Sequence, residues 1–194
     1  MRTFVALDVD DAIRRRLERF MDGLRAFAPE VRWVEPESLH VTLKFIGEQP
    51  AENVERLQAA LAAIRASSFS VGFRGCGFFP SERAARVFWV GIEAGPELPR
   101  LAGAIETACA PLGIANQDRE FSPHLTLARA GSGAPAGRRE DKVNRRFARL
   151  QEKLSASGSP DFATMSAREF FLYQSKTARD GVRYTKIARF DLQP

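Results

Sequence analysis

Apolar residues recur at helical spacing in some parts of the chain and at strand spacing in others. In DDAIRRRLERFMDGLRAF, Ile13, Leu17, Phe20, Met21, Leu24 and Phe27 fall on one helical face, with Asp10 or Asp11 placed to cap its start. A second helix is predicted after Pro50 from Val54, Leu57, Leu61 and Ile64. A third runs from about Glu97 to Leu112 through Leu98, Leu101 and Ile105, and a fourth through Val143, Phe147, Leu150 and Leu154. Between them, the β-branched and aromatic runs FVALDV, HVTLKFIG, FSVGF, VFWVGI, HLTLA, EFFLY and YTKIARFDL predict strands. GSGAPAG at 131–137 and SASGSP at 155–160 predict loops, the first a flexible one.

The order of these elements repeats. Phe4, which opens FVALDV, lies 36 residues before His40, and Phe88 in VFWVGI lies 36 residues before His124. Strand, helix, strand with His-x-Thr, helix, strand thus occurs twice, the pattern of an internal duplication. The expected fold is α+β: a single two-lobed domain over residues 1–194, with pseudo-twofold lobes, each an antiparallel sheet with helices packed outside. The sheets would face each other across a central cleft that carries both His-x-Thr motifs.

Composition narrows the setting. A chain of 194 residues with 44% hydrophobic residues has enough material for a sizeable core. No apolar run reaches the roughly 18–20 residues of a membrane span, and MRTFVALDVDD has neither the apolar core nor the cleavage site of a signal peptide. A soluble, cytoplasmic protein with no membrane partner is therefore expected. Cys76 and Cys109 are best accommodated as reduced, buried thiols. The net charge of +5 and pI near 9.7 suit a polyanionic partner without specifying one.

The two histidines share one frame, His-x-Thr-Leu, at His40 and at His124. In a strand, His40 and Thr42 take one face while Val41, Leu43 and Phe45 take the other, toward the core, and His124 and Thr126 oppose Leu125 and Leu127 in the same way. Each half then offers one imidazole and one hydroxyl on its polar face. With an ordinary pKa near 6.5, one imidazole can accept a proton while the other donates one, which suits in-line displacement at phosphorus. The threonine hydroxyls would hold the non-bridging oxygens. Seven threonines in the chain make a chance match at both histidines roughly a one-in-a-thousand event.

RWVEPESLHVTLKFIGE, GFFPSERAARVFWVGI, FSPHLTLAR and FFLYQSKTARDGVRYTKIARFDL resemble the RNA 2′,3′-cyclic phosphodiesterases of the two-histidine phosphoesterase superfamily, many first named 2′-5′ RNA ligases. The resemblance spans nearly the whole chain. It implies a bilobal fold with both motifs in a cleft, no cofactor, no metal, and hydrolysis of a cyclic phosphate to a 2′-phosphomonoester. It also implies a slower, reversible, ATP-independent joining of RNA ends through a 2′-5′ linkage. By position, the catalytic residues would be His40, Thr42, His124 and Thr126, with the first histidine the acid and the second the base. The expected partner is an RNA end with a 2′,3′-cyclic phosphate, or a small cyclic nucleotide, bound by a monomer.

Arg129 resembles an arginine the family uses near the phosphate. Strand parity turns it away from His124, so a role there requires the strand to end or bend at Ala128. Lys44 shares the parity of His40 and Thr42 and is the other candidate for binding substrate phosphate; a lysine on a solvated groove wall fits equally. RREDKVNRRFAR at 138–149 suits either an RNA backbone or a solvated face. Phe78, Phe79 and Tyr184 could stack a base or fill a core. Rival readings are a related enzyme of small nucleotides such as 2′-5′ oligoadenylate, or a non-catalytic module that holds RNA ends. A metal site of His40, His124, Cys76 and Cys109 lacks any close ligand spacing.

Overall fold

The computed structural model describes residues 1–118, 120–131, 145–178 and 181–194. Helices α1 (Asp11–Leu24), α2 (Ala51–Ala62), α3 (Glu97–Cys109) and α4 (Ala148–Ser155) lie on the predicted apolar stripes. Their buried residues carry those stripes: Ile13, Leu17, Met21 and Leu24 in α1, Val54, Leu57 and Leu61 in α2, and Leu98, Leu101 and Ile105 in α3. Helix α2 stops before Ile64, and the final turn expected of α3 tightens into a 3-10 turn at Ala110–Leu112. Most of the loop at 131–137 and the start of the fourth predicted helix at Val143 lie outside the described residues, as does part of the basic stretch at 138–149.

The strands are β1 (Arg2–Asp8), β2 (Arg32–Trp33), β3 (His40–Glu48), β4 (Phe69–Phe79), β5 (Val87–Ala94), β6 (His124–Arg129), β7 (Asp161–Ala167), β8 (Glu169–Ala178) and β9 (Gly181–Asp191). Sequence pattern misses β2, which is only two residues long, and β7, where Phe162, Met165 and Ala167 lose strict alternation at Ala163 with φ of 92°. All are joined antiparallel in the order β7, β4, β5, β6, β3, β1, β8, β9, with β2 pairing the far end of β6.

That order reads alike outward from its centre. Strand β5 flanks β6 as β1 flanks β3, and β4 flanks β5 as β8 flanks β1. The two halves meet edge to edge through Val41 and Leu125, so the lobes share one continuous sheet. The chain also interleaves them: β4 belongs to the first half of the sequence yet lies in the second half of the sheet, while β8 and β9 cross back. Helix α1 packs on β7 and α3 on β3, so one apolar core runs through both halves. The opposite face carries a separate cluster of Phe4, Ala6, Phe171 and Tyr173. The 36-residue spacing is one residue out of register: Val5 pairs with Lys44 as Phe88 pairs with Ala128, so Phe88 corresponds to Val5 and not to Phe4.

Candidate active site

Strands β3 and β6 run side by side at the centre of the sheet. Because the pair is antiparallel and Val41 faces Leu125, continuing the register puts His40 across from Thr126 and Thr42 across from His124. The four groups form a two-by-two patch in which the histidines occupy one diagonal, a separation of about 7–8 Å between such positions. That leaves room for a phosphate between two imidazoles.

Each imidazole is fixed in the same way. His40 Nδ1 lies 2.7 Å from the Ser38 carbonyl oxygen and His124 Nδ1 lies 2.8 Å from that of Ser122. A carbonyl only accepts, so each Nδ1 carries the proton and each Nε2 is left as the nitrogen able to accept one. The matched frame is therefore longer than His-x-Thr: serine stands two residues before each histidine, a signal present in the sequence but not used there. His40 is flanked by Phe4 at 4.8 Å and edge-on Tyr184 at 5.2 Å between ring centroids, and His124 by edge-on Phe79 at 5.0 Å.

Burial pulls His40 from its ordinary 6.5 down to about 4, opposed by the Ser38 hydrogen bond, with the Arg129 charge lowering it further and Asp8 raising it. His124 is also lowered, by burial first and then by Arg129. Both imidazoles are thus neutral near pH 7. An unfolded chain protonates His40 near 6.5 while the folded one resists until about 4, so stability falls as pH drops through that window. Urea unfolding between pH 7 and 4 should show this slope, and His40→Gln should flatten it.

A bulge repeated in both motifs decides where the neighbouring residues point. Opposite β3, Val5 pairs with Lys44 and Ala6 with Thr42, which leaves Leu43 as an extra residue; opposite β6, Phe88 pairs with Ala128 and Trp89 with Thr126, which leaves Leu127 extra. Beyond each bulge the parity inverts. Lys44 therefore does not share the histidine face: it is fully buried, with Nζ 2.5 Å from Glu106 and 2.9 Å from the Ala115 carbonyl, and cannot contact a phosphate in the cleft. Arg129, by the same inversion, lies on the histidine face with Nη2 3.5 Å from Thr126 Oγ1. Its counterpart in the first half is Phe45, which regular alternation assigned to the core face and which the bulge turns outward, 59% exposed.

Behind His40, its β1 partner Asp8 is held by Arg14 at 2.6 Å and by Lys186. Arg14 also bonds the carbonyls of Pro36 and Val9, tying α1 to the turn that carries Ser38. Among the described residues, no group of three His, Cys, Asp or Glu side chains gathers as a metal site requires, and no helix is long and apolar enough to cross a membrane. Burial raises both thiols, Cys109 to about 11.

The family model for LigT-like phosphoesterases matches the chain twice, over residues 7–89 and 90–184, in step with the duplication. An RNA 2′,3′-cyclic phosphodiesterase of Archaeoglobus fulgidus is 33% identical over 191 residues, covering 98% of this chain and 100% of that protein. One from Escherichia coli K12 is 30% identical, covering 98% and 96%. Among solved structures, TT0787 of Thermus thermophilus is 28% identical with a TM-score of 0.78, and E. coli LigT complexed with 3′-AMP is 30% identical with a TM-score of 0.76. Each comparison covers 100% of this chain and 98% of the other. With its duplicated fold and matched histidine strands, the chain belongs to the LigT-like phosphoesterase family.

Proposed function

We propose that this protein hydrolyses the 2′,3′-cyclic phosphate ends of RNA to 2′-phosphomonoesters, with His40 and His124 as acid and base and Thr42, Thr126 and Arg129 as phosphate ligands. The observation that carries the reading is the diagonal pair of imidazoles, each with Nδ1 tied to a carbonyl and each across from a threonine. The names of the relatives support the substrate class. His124 Nε2 takes a proton from water, the water oxygen bonds to phosphorus, the bond from phosphorus to O3′ breaks, and His40 gives O3′ a proton. His40 gains that proton when the phosphate anion settles beside it, since a nearby negative charge favours the imidazolium. One chain holds all these groups, so the reaction needs no second copy, and we place it in the cytoplasm.

The test is to incubate the protein, with and without EDTA, with an oligonucleotide ending in a 2′,3′-cyclic phosphate and to separate the products. A 2′-phosphate end formed equally under both conditions supports the proposal. Intact RNA beside turnover of a cyclic mononucleotide would move the reading to small nucleotides.

Because both histidines lie below 6.5, kcat/KM should peak on the acid side of that value. Asp8→Asn removes a charge that raises His40 and should move the optimum lower. Arg129→Gln removes one that lowers both histidines, so it should move the optimum higher while KM rises about tenfold, the cost of one charge-assisted hydrogen bond. Matching shifts from the two variants would contradict the assigned signs.

A further inference from the structure

Three consecutive arginines, Arg14, Arg15 and Arg16, stand early in α1, and the fold treats them differently. Arg15 and Arg16 are exposed, whereas the Arg14 side chain is 15% exposed and turns toward the sheet. Its guanidinium bridges two stretches of backbone. Nη2 donates to Asp8 Oδ1 at 2.6 Å and to the Val9 carbonyl at 2.9 Å, where β1 ends. Nη1 donates to the Pro36 carbonyl and reaches that of Leu39 at 3.5 Å.

Pro36 and Leu39 stand on either side of Ser38 in the chain. The turn Pro36–Ser38 is closed by Ser38 N donating to Glu35 O at 2.8 Å and Leu39 N to Pro36 O at 3.2 Å. A helical turn leaves its last carbonyls free for partners outside it. Here the Pro36 carbonyl also takes Arg14, and the Ser38 carbonyl takes His40 Nδ1. What holds the turn therefore aims the Ser38 carbonyl, and that carbonyl selects the imidazole nitrogen that keeps the proton. Phe4 and Tyr184 confine the ring without choosing between its nitrogens. The two halves of the sheet differ at this place. Asp8 pairs with His40 across β1 and β3, and the residue paired with His124 in the matching register of β5 and β6 is Gly91, which has no side chain to anchor a guanidinium.

Resting on the function proposed above, we infer that Arg14 is a positioning residue for His40: it clamps the turn around Ser38, so that the Ser38 carbonyl holds the Nδ1 proton and Nε2 is left for the transfer to O3′. Arg14 acts through that carbonyl and touches no reacting atom. The shape of the guanidinium matters here more than its charge. A lysine in its place could still answer Asp8, but a single ammonium does not reproduce a planar fork that reaches β1 with one nitrogen and the turn with the other.

The chain has two histidines, so side-chain nitrogen NMR of isotope-labelled protein shows two imidazoles, with His124 as the internal control. At about pH 8, where both rings are neutral, each should carry its proton on Nδ1 in the parent protein. In Arg14→Met and in Arg14→Lys the His40 ring should spread over both tautomers while His124 keeps its own. For a 2′,3′-cyclic phosphate end, kcat should fall by a factor of about 10–100, the effect of misplacing a reacting group, with KM unchanged because the phosphate ligands are intact. Should Arg14→Met not fold, Arg14→Lys, which keeps the charge beside Asp8, carries the comparison. In that variant an unmoved His40 tautomer, a change shared by both imidazoles, or a full kcat would each overturn the inference. If the parent protein hydrolyses no cyclic phosphate, the functional reading fails, and the NMR comparison, which needs no substrate, decides whether Arg14 positions the ring.

Discussion

Replacing His40 or His124 by alanine is expected to lower kcat/KM for a 2′,3′-cyclic phosphate end by a factor of about 10²–10⁴ each, the usual loss when one general acid or base is removed. Neither change should unfold the protein. Each ring is half-buried, and the only hydrogen bond found for it among the described residues runs to a carbonyl two residues earlier. The expectation rests on the shared tautomer. With both Nδ1 protons committed, each Nε2 accepts a proton when neutral and donates one when charged, so neither histidine can do the other's work in the same turnover. The double variant should therefore be little worse than either single one, because residues that act as a unit do not add. Turnover assays beside circular dichroism would check this. A single variant that keeps a tenth or more of the parental kcat/KM would remove that histidine from the proton transfers.

What the sequence disclosed follows from where the proposed chemistry resides. Two imidazoles, two hydroxyls and their strand neighbours form short local motifs, and duplication printed them twice, so His40, Thr42, His124 and Thr126 stand out without a fold. Arg129, Lys44 and Phe45 were obscured by one cause. Parity counts from a histidine only while the strand stays regular, and the bulges at Leu43 and Leu127 depend on pairing with β1 and β5, strands distant in sequence. The crossing of β4 into the opposite half is hidden for a similar reason: local pattern names a strand but not its neighbours. Phe78 and Phe79 illustrate both limits, since only the sheet tells which of two adjacent rings meets the core and which meets His124.

Lys44 and Glu106 offer the sharpest check on that bulge, through stability. Lys44 is fully buried while Glu106 is 25% exposed, so the two partners of one ion pair do not lose equally when the other is removed. Glu106→Ala strands a charged ammonium in the core with the Ala115 carbonyl as its one remaining hydrogen-bond partner among the described residues, at a cost of roughly 3–5 kcal/mol. For a chain of this size that corresponds to a melting temperature lower by roughly 10 °C. Lys44→Met keeps an unbranched stem of similar volume and leaves Glu106 able to turn toward water, so its cost should be about 1 kcal/mol. In the double variant Lys44→Met, Glu106→Ala, most of the damage from Glu106→Ala should disappear, because the stranded charge is gone. Thermal unfolding of the three proteins measures this order. If instead Lys44→Met left stability untouched and raised KM for the cyclic phosphate, the lysine would have to face the cleft, and the bulge in β3 would be misplaced along with Phe45. An inversion of the same kind at Leu127 places Arg129 beside Thr126, so the melting order of the buried ion pair tests the first of the two matched bulges that decide which side chains stand beside the histidines.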